Sequence, residues 1–121
     1  VLASSAVILT GLYEQAFQRA GVEALYPRGS LQDRIMQAIR QIKAGRLGRA
    51  GEETLLEAAR DLDGQGAEAI VVACTELSLA AGPLAGRGRV YDAAQVLAEA
   101  IVRTASCDVR RPSPPGGPGP G

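Results

Sequence analysis

An α/β fold, a parallel sheet flanked by helices, is predicted by three observations. Ile70-Val71-Val72-Ala73 is an unbroken apolar, largely β-branched run, the pattern of a strand buried on both faces. Around it, short apolar runs alternate with longer segments whose apolar residues recur at helical spacing. At the end of the central run the chemistry changes abruptly, with thiol, hydroxyl and carboxylate on Cys74, Thr75 and Glu76. In open α/β sheets, ligands bind in the crevice beyond the carboxyl ends of the strands. A cysteine in that place is either a small buried hydrophobe or a reactive group. In the second case the first N–H groups of a following helix would favour its thiolate.

Taken in order, Val1 to Ala3 is short and apolar, consistent with the end of a strand. Ser4-Ser5-Ala6 reads as a small polar loop, either a plain turn or a place where backbone approaches a ligand. Thr10 or Gly11 then caps a helix whose apolar face is Leu12, Tyr13, Ala16, Phe17 and Ala20, ended by Gly21. Val22 to Tyr26 is expected as a short strand closed by Pro27. Ser30, with Asp33 three residues on, resembles a capping box for a helix buried along Leu31, Ile35, Ala38, Ile39 and Ile42. Gly45 stops it, leaving Lys43 in the last turn, where a cation also suits the helix dipole.

A further helix is expected from about Glu52 to Asp63, with Leu55, Leu56, Ala59 and Leu62 inward and Gly64 and Gly66 at its end. After the central strand, Gly82 to Gly88 is a loop and Arg89 to Tyr91 another short strand. Asp92 caps a last helix with Val96, Leu97, Ala100 and Ile101 on its apolar face. The helical pattern dissolves after Thr104. Arg111 to Gly121 is nearly all Pro, Gly and Ser, a composition that buries too little surface to offset its ordering entropy. The expected division is one α/β domain over residues 1–106 and a disordered tail over 107–121, with Cys107 an incidental thiol.

Composition excludes several functions. Thirteen basic and 13 acidic residues give no net charge, so neither a nucleic-acid nor a membrane-surface partner is expected. No apolar stretch has the length of a membrane span, and Val1-Leu2-Ala3 lacks the basic start of a signal peptide. Two cysteines without a secretion signal point to free thiols in a reducing, cytoplasmic compartment. The absence of His removes Ser–His and Cys–His pairs and every His-based metal site. A chain that begins with Val rather than Met suggests a fragment or a processed product.

Five stretches carry a resemblance. They are Thr10-Gly11-Leu12-Tyr13-Glu14-Gln15-Ala16-Phe17; Asp33-Arg34-Ile35-Met36; Ile42-Lys43-Ala44-Gly45; Gly66-Ala67-Glu68-Ala69 leading into Cys74-Thr75-Glu76-Leu77; and Val90-Tyr91-Asp92 leading into Leu97-Ala98-Glu99-Ala100. In order and spacing they resemble the second half of aspartate/glutamate racemases, over residues 1 to about 105. Glu after Cys-Thr is closest to the aspartate-racemase branch; the glutamate branch usually has His there. The resemblance implies one half of a two-domain, pseudo-symmetric fold with the active site between the halves and no cofactor. Each domain then supplies one cysteine, one removing the α-proton and the other returning a proton to the opposite face. Cys74 matches the second catalytic cysteine, Thr75 a residue that holds the substrate carboxylate, and Lys43 the partner of a side-chain carboxylate.

The chain also departs from that pattern. The family's first cysteine, followed by Asn-Thr-Ala, has no match here, and the surroundings of Cys107 share none of that motif. The family's Thr-x-Gly-Thr loop reads Ser4, Ala6 and Val7, so a hydroxyl is missing at Val7, and the glycine before the second cysteine is Ala73. The expected function is therefore a fragment of a cofactor-independent amino-acid racemase, inactive alone. It would act on a small amino acid or dicarboxylate and need an upstream domain, or form a homodimer. The alternatives are a non-catalytic remnant or binding module of the same fold, and a related single-cysteine decarboxylase or isomerase of small dicarboxylates.

Overall fold

The structure is a computed structural model that describes residues 1–46 and 48–109. Its elements are α1 (Ser5–Thr10), α2 (Leu12–Gln18), α3 (Leu31–Lys43), α4 (Arg49–Gly64), β1 (Ile70–Val72), α5 (Thr75–Ala80), a 3-10 turn (Gly82–Leu84), β2 (Val90–Asp92) and α6 (Ala93–Val109). β1 and β2 pair in parallel, with Ile70 opposite Val90 and Val72 opposite Asp92. On its other side β1 forms a parallel bridge to Leu2. There the Leu2 N–H donates to Val71 C=O and the Ala73 N–H to Leu2 C=O, both at 2.8 Å. The α/β class with a parallel sheet and flanking helices is thus the observed one, and β1 lies at its centre.

The core fills the space between this sheet and α3, α4 and α5. Leu2, Ile35, Leu55, Leu62, Leu77 and Leu84 are fully buried in it, with Ile70 and Val72 on the sheet side. Val71, pointing the other way, is only half-buried, so β1 is covered on one face rather than both. Helix α3 buries Ile35, Ala38, Ile39 and Ile42, as their spacing requires. It ends where Gly45 takes φ 73° and the Arg46 N–H reaches back to Gln41 C=O at 2.9 Å. A residue with a Cβ would be strained there, so this glycine fixes Lys43 in the last turn.

Several expectations need correction. Ser4 does not lie in a loop: its hydroxyl accepts from the Val7 N–H and caps α1. The helix expected after Thr10 is α2, with Gly11 as its N-terminal cap. The same glycine at φ 63° also closes α1, a helix that the sequence reading did not expect. Val22–Tyr26 is not a strand. No ladder pairs it among the described residues, and its Tyr26 C=O accepts instead from the Gln65 side chain at 3.0 Å. Ser30 has helical backbone angles and its side chain caps nothing, so no capping box forms. The apolar face of α6 is not buried: Val96, Leu97 and Ile101 are exposed, since α6 packs chiefly on β2. Asp92 does cap α6, accepting from the Ala94 N–H at 2.9 Å. α6 continues through Cys107 to Val109, and the rest of the expected tail lies outside the described residues.

Arg28 ties the loop before α3 to α4. Its guanidinium donates to Asp61 at 2.9 and 3.1 Å, and its backbone N–H at 3.0 Å. Those bonds, the guanidinium first, hold the Asp61 carboxyl below its usual range. A carboxylate depressed in this way stabilises the fold above its unfolded pKa of about 3.9, and the effect is lost as pH falls through the lower folded value. Asp61→Asn should therefore lower the thermal midpoint more at pH 7 than at about pH 3. An equal deficit at both pH values would mean that packing, not charge, is what the substitution removed.

Candidate active site

The site grows from the end of β1. Cys74 leaves the strand with extended backbone (φ −153°, ψ 129°) and is the N-terminal cap residue of α5. Its carbonyl accepts from the Ser78 N–H at 3.0 Å and the Ser78 hydroxyl at 3.1 Å, which fixes the first turn of the helix. The parallel bridge of Leu2 to Val72 carries Ser4 to the same sheet edge as Cys74. That edge is the carboxyl end of the strands, where the sequence placed the chemistry.

All three predicted site residues come together here, through a fourth. The Cys74 thiol donates to Glu76 Oε2 at 3.2 Å, and the Thr75 hydroxyl donates to the same oxygen at 3.0 Å. Lys43 Nζ, at the end of α3, pairs with Glu76 Oε1 at 3.6 Å. The packing of α3 on α5 and the glycine stop after Ala44 bring that ammonium across. Its side chain is 63% exposed while that of Glu76 is 25% exposed, so the ion pair faces solvent on the lysine side. Cys107 is exposed on α6 and takes no part in this cluster.

The thiol does not behave as its position suggested. Burial pushes the Cys74 pKa up, and the Glu76 carboxylate adds to this. The backbone N–H groups of Leu77 and Glu76 pull it down, as a helix start should, yet burial outweighs them. Burial and the neighbouring carboxylate therefore favour the thiol form of Cys74 over the thiolate. Glu76 is shifted the opposite way, held ionised by the thiol, by its own backbone N–H, by the Thr75 hydroxyl and by Lys43.

Glu76, which the sequence reading named as the carboxylate after Cys-Thr and as a branch marker without giving it a role, is the residue that joins the other three. An acidic residue in the first turn of a helix is ordinary, so the signal was its place two residues after the cysteine. Three concavities lie elsewhere: between α3 and α4, beside α2, and at the opposite sheet edge around Val1, Gly66 and Arg89. None is lined by Cys74, Thr75, Glu76 or Lys43. Among the described residues no group of three or more His, Cys, Asp or Glu side chains could hold a metal ion. Among them, too, no helix is long and apolar enough to cross a membrane.

With a parallel sheet, a cysteine at a strand's carboxyl end and a hydroxyl beside it, comparison with family models gives a match over residues 1–101 to the family described as Asp/Glu/Hydantoin racemase. That span includes Lys43 and the whole Cys74-Thr75-Glu76 cluster. The chain belongs to the Asp/Glu/Hydantoin racemase family.

Proposed function

We propose that this chain is the C-terminal half of a cofactor-independent racemase of the aspartate branch, acting on an acidic amino acid in the cytoplasm. The observation that carries the reading is the convergence of the Cys74 thiol, Thr75 hydroxyl and Lys43 ammonium at one strand end. Cys74 is the acid/base group at the α-carbon, and Thr75 helps to hold the α-carboxylate. Lys43, exposed and loosely paired, exchanges Glu76 for the side-chain carboxylate of the substrate. Inversion requires an acid and a base on opposite faces of the α-carbon, and Cys74 can serve only one face. The second group comes from a companion domain bearing Cys-Asn-Thr-Ala, and the exposed Val96, Leu97, Ile101 and Val102 of α6 give such a partner apolar surface to cover.

Lys43 tests the substrate assignment. In the chain completed with a companion domain, Lys43→Ala should weaken kcat/KM for aspartate far more than for alanine. A charge-assisted contact is worth about 1.5–3 kcal/mol, so the loss for aspartate should be roughly ten- to a hundredfold. Equal losses for the two amino acids would reduce Lys43 to a helix-end cation.

A further inference from the structure

We infer that Glu76 is a positioning residue that adds to burial in holding Cys74 as a thiol in the free protein, so that Cys74 enters the reaction as its proton donor. The geometry carries this. The thiol, the Thr75 hydroxyl and the Lys43 ammonium all point protons at the Glu76 carboxylate. A carboxylate with three donors is stabilised in its ionised form and is a poor base. It does not pull the proton off sulfur; it holds the S–H bond in place, and its negative charge opposes a second negative charge 3.2 Å away. Lys43 moderates that opposition from the far oxygen. Of the charged groups on the elements packed against α5, Lys43 is the one within ion-pair distance of Glu76 among the described residues.

The consequence for the reaction rests on the racemase reading above. With Cys74 as a thiol, the group on the opposite face takes the α-proton. The Cys74 S–H bond then breaks, its proton forms the new C–H bond with the carbanion pair, and sulfur keeps its electrons as thiolate. Glu76 gains no proton at any stage. After product leaves, the opposite-face group releases the proton it took to water while the Cys74 thiolate takes one up, which the carboxylate beside it favours. Before that exchange the Cys74-thiolate form runs the same step in reverse on the other enantiomer.

The test titrates the thiol and needs no substrate, so its outcome is independent of whether the chain racemises anything. In a Cys107→Ser background Cys74 is the single thiol. Its alkylation by iodoacetamide is followed against pH in the wild type and in Glu76→Gln, Glu76→Asp and Lys43→Met. Glu76→Gln should move the midpoint down by about one pH unit. A tenfold gain in thiolate, offset by weaker intrinsic nucleophilicity, makes alkylation roughly threefold faster at pH 7. Lys43→Met should move the midpoint up and slow alkylation, about twofold, because Glu76 loses its counter-charge. Glu76→Asp keeps the charge and should stay between wild type and Glu76→Gln. Should Glu76→Gln leave the midpoint unchanged or raise it, the inference is overturned. The same follows if Lys43→Met moves the midpoint in the direction of Glu76→Gln. Far-UV circular dichroism on each variant separates a titration shift from unfolding, and Lys43→Met reads the same coupling from another helix.

Discussion

Replacing Cys74 with Ser is expected to abolish α-proton chemistry in a completed racemase and to leave the fold intact. A serine hydroxyl has nearly the shape of the thiol but is far too weak an acid to return a proton to a carbanion near neutral pH. Losing one positioned acid/base group costs about 10²- to 10⁴-fold in rate. The assay incubates the chain with L-aspartate in deuterated water, alone and joined to a companion domain carrying the other cysteine. Both α-deuteration and D-aspartate are followed. The chain alone should form no D-aspartate, because Cys107 sits exposed on α6 outside the Cys74 cluster and offers no group for the opposite face. The joined protein should form it, Cys74→Ser should not, and Cys107→Ser should match the wild type. D-aspartate from the chain alone, lost on Cys74→Ser, would overturn the half-site reading. Full activity in joined Cys74→Ser would remove Cys74 from the chemistry altogether.

How much of this was legible in the sequence depends on which physical term decides each feature. Helices α3 and α4 were readable because Ile35, Ala38, Ile39 and Ile42, and likewise Leu55, Ala59 and Leu62, repeat at the spacing that burial demands. Strand β1 and the placement of Cys74 at its end followed from one apolar run and its abrupt close. Helix α1 was hidden because Ser4-Ser5-Ala6 carries equal turn and cap signals, and only the chain around it decides between them. Val22–Tyr26 has strand composition, but a strand is defined by a partner, which composition does not supply. The amphipathic pattern of α6 told which face is apolar and not whether anything covers it. At the site, the sequence located Cys74, Thr75 and Lys43 but showed only one of the influences on the thiol. Helix-start N–H groups are visible in a sequence, while desolvation and a carboxylate folding back at 3.2 Å are not.

The stability of the whole site should hang on Leu55, which touches none of its polar groups. Leu55 is fully buried in α4, in a cluster with Leu2, Ile35, Ile39, Ile42, Val72 and Leu77. Those neighbours belong to the segments that carry the site: Ile42 precedes Lys43 on α3, Val72 closes β1 before Cys74, and Leu77 lies one residue beyond Glu76 on α5. Leu55→Ala removes buried methyl groups and leaves a cavity that three elements must either collapse into or tolerate. Such changes cost about 2–5 kcal/mol, a large part of the roughly 5–15 kcal/mol that holds a typical domain folded. Urea denaturation should show the midpoint fall with the slope unchanged, the sign of lost stability without a change in the surface exposed. Leu79→Ala provides the contrast, since Leu79 is 68% exposed on the same helix as Glu76 and should move stability by less than about 0.5 kcal/mol. If Leu79→Ala proved as damaging as Leu55→Ala, Leu79 would already be covered in solution, by a second copy of the chain or by another partner.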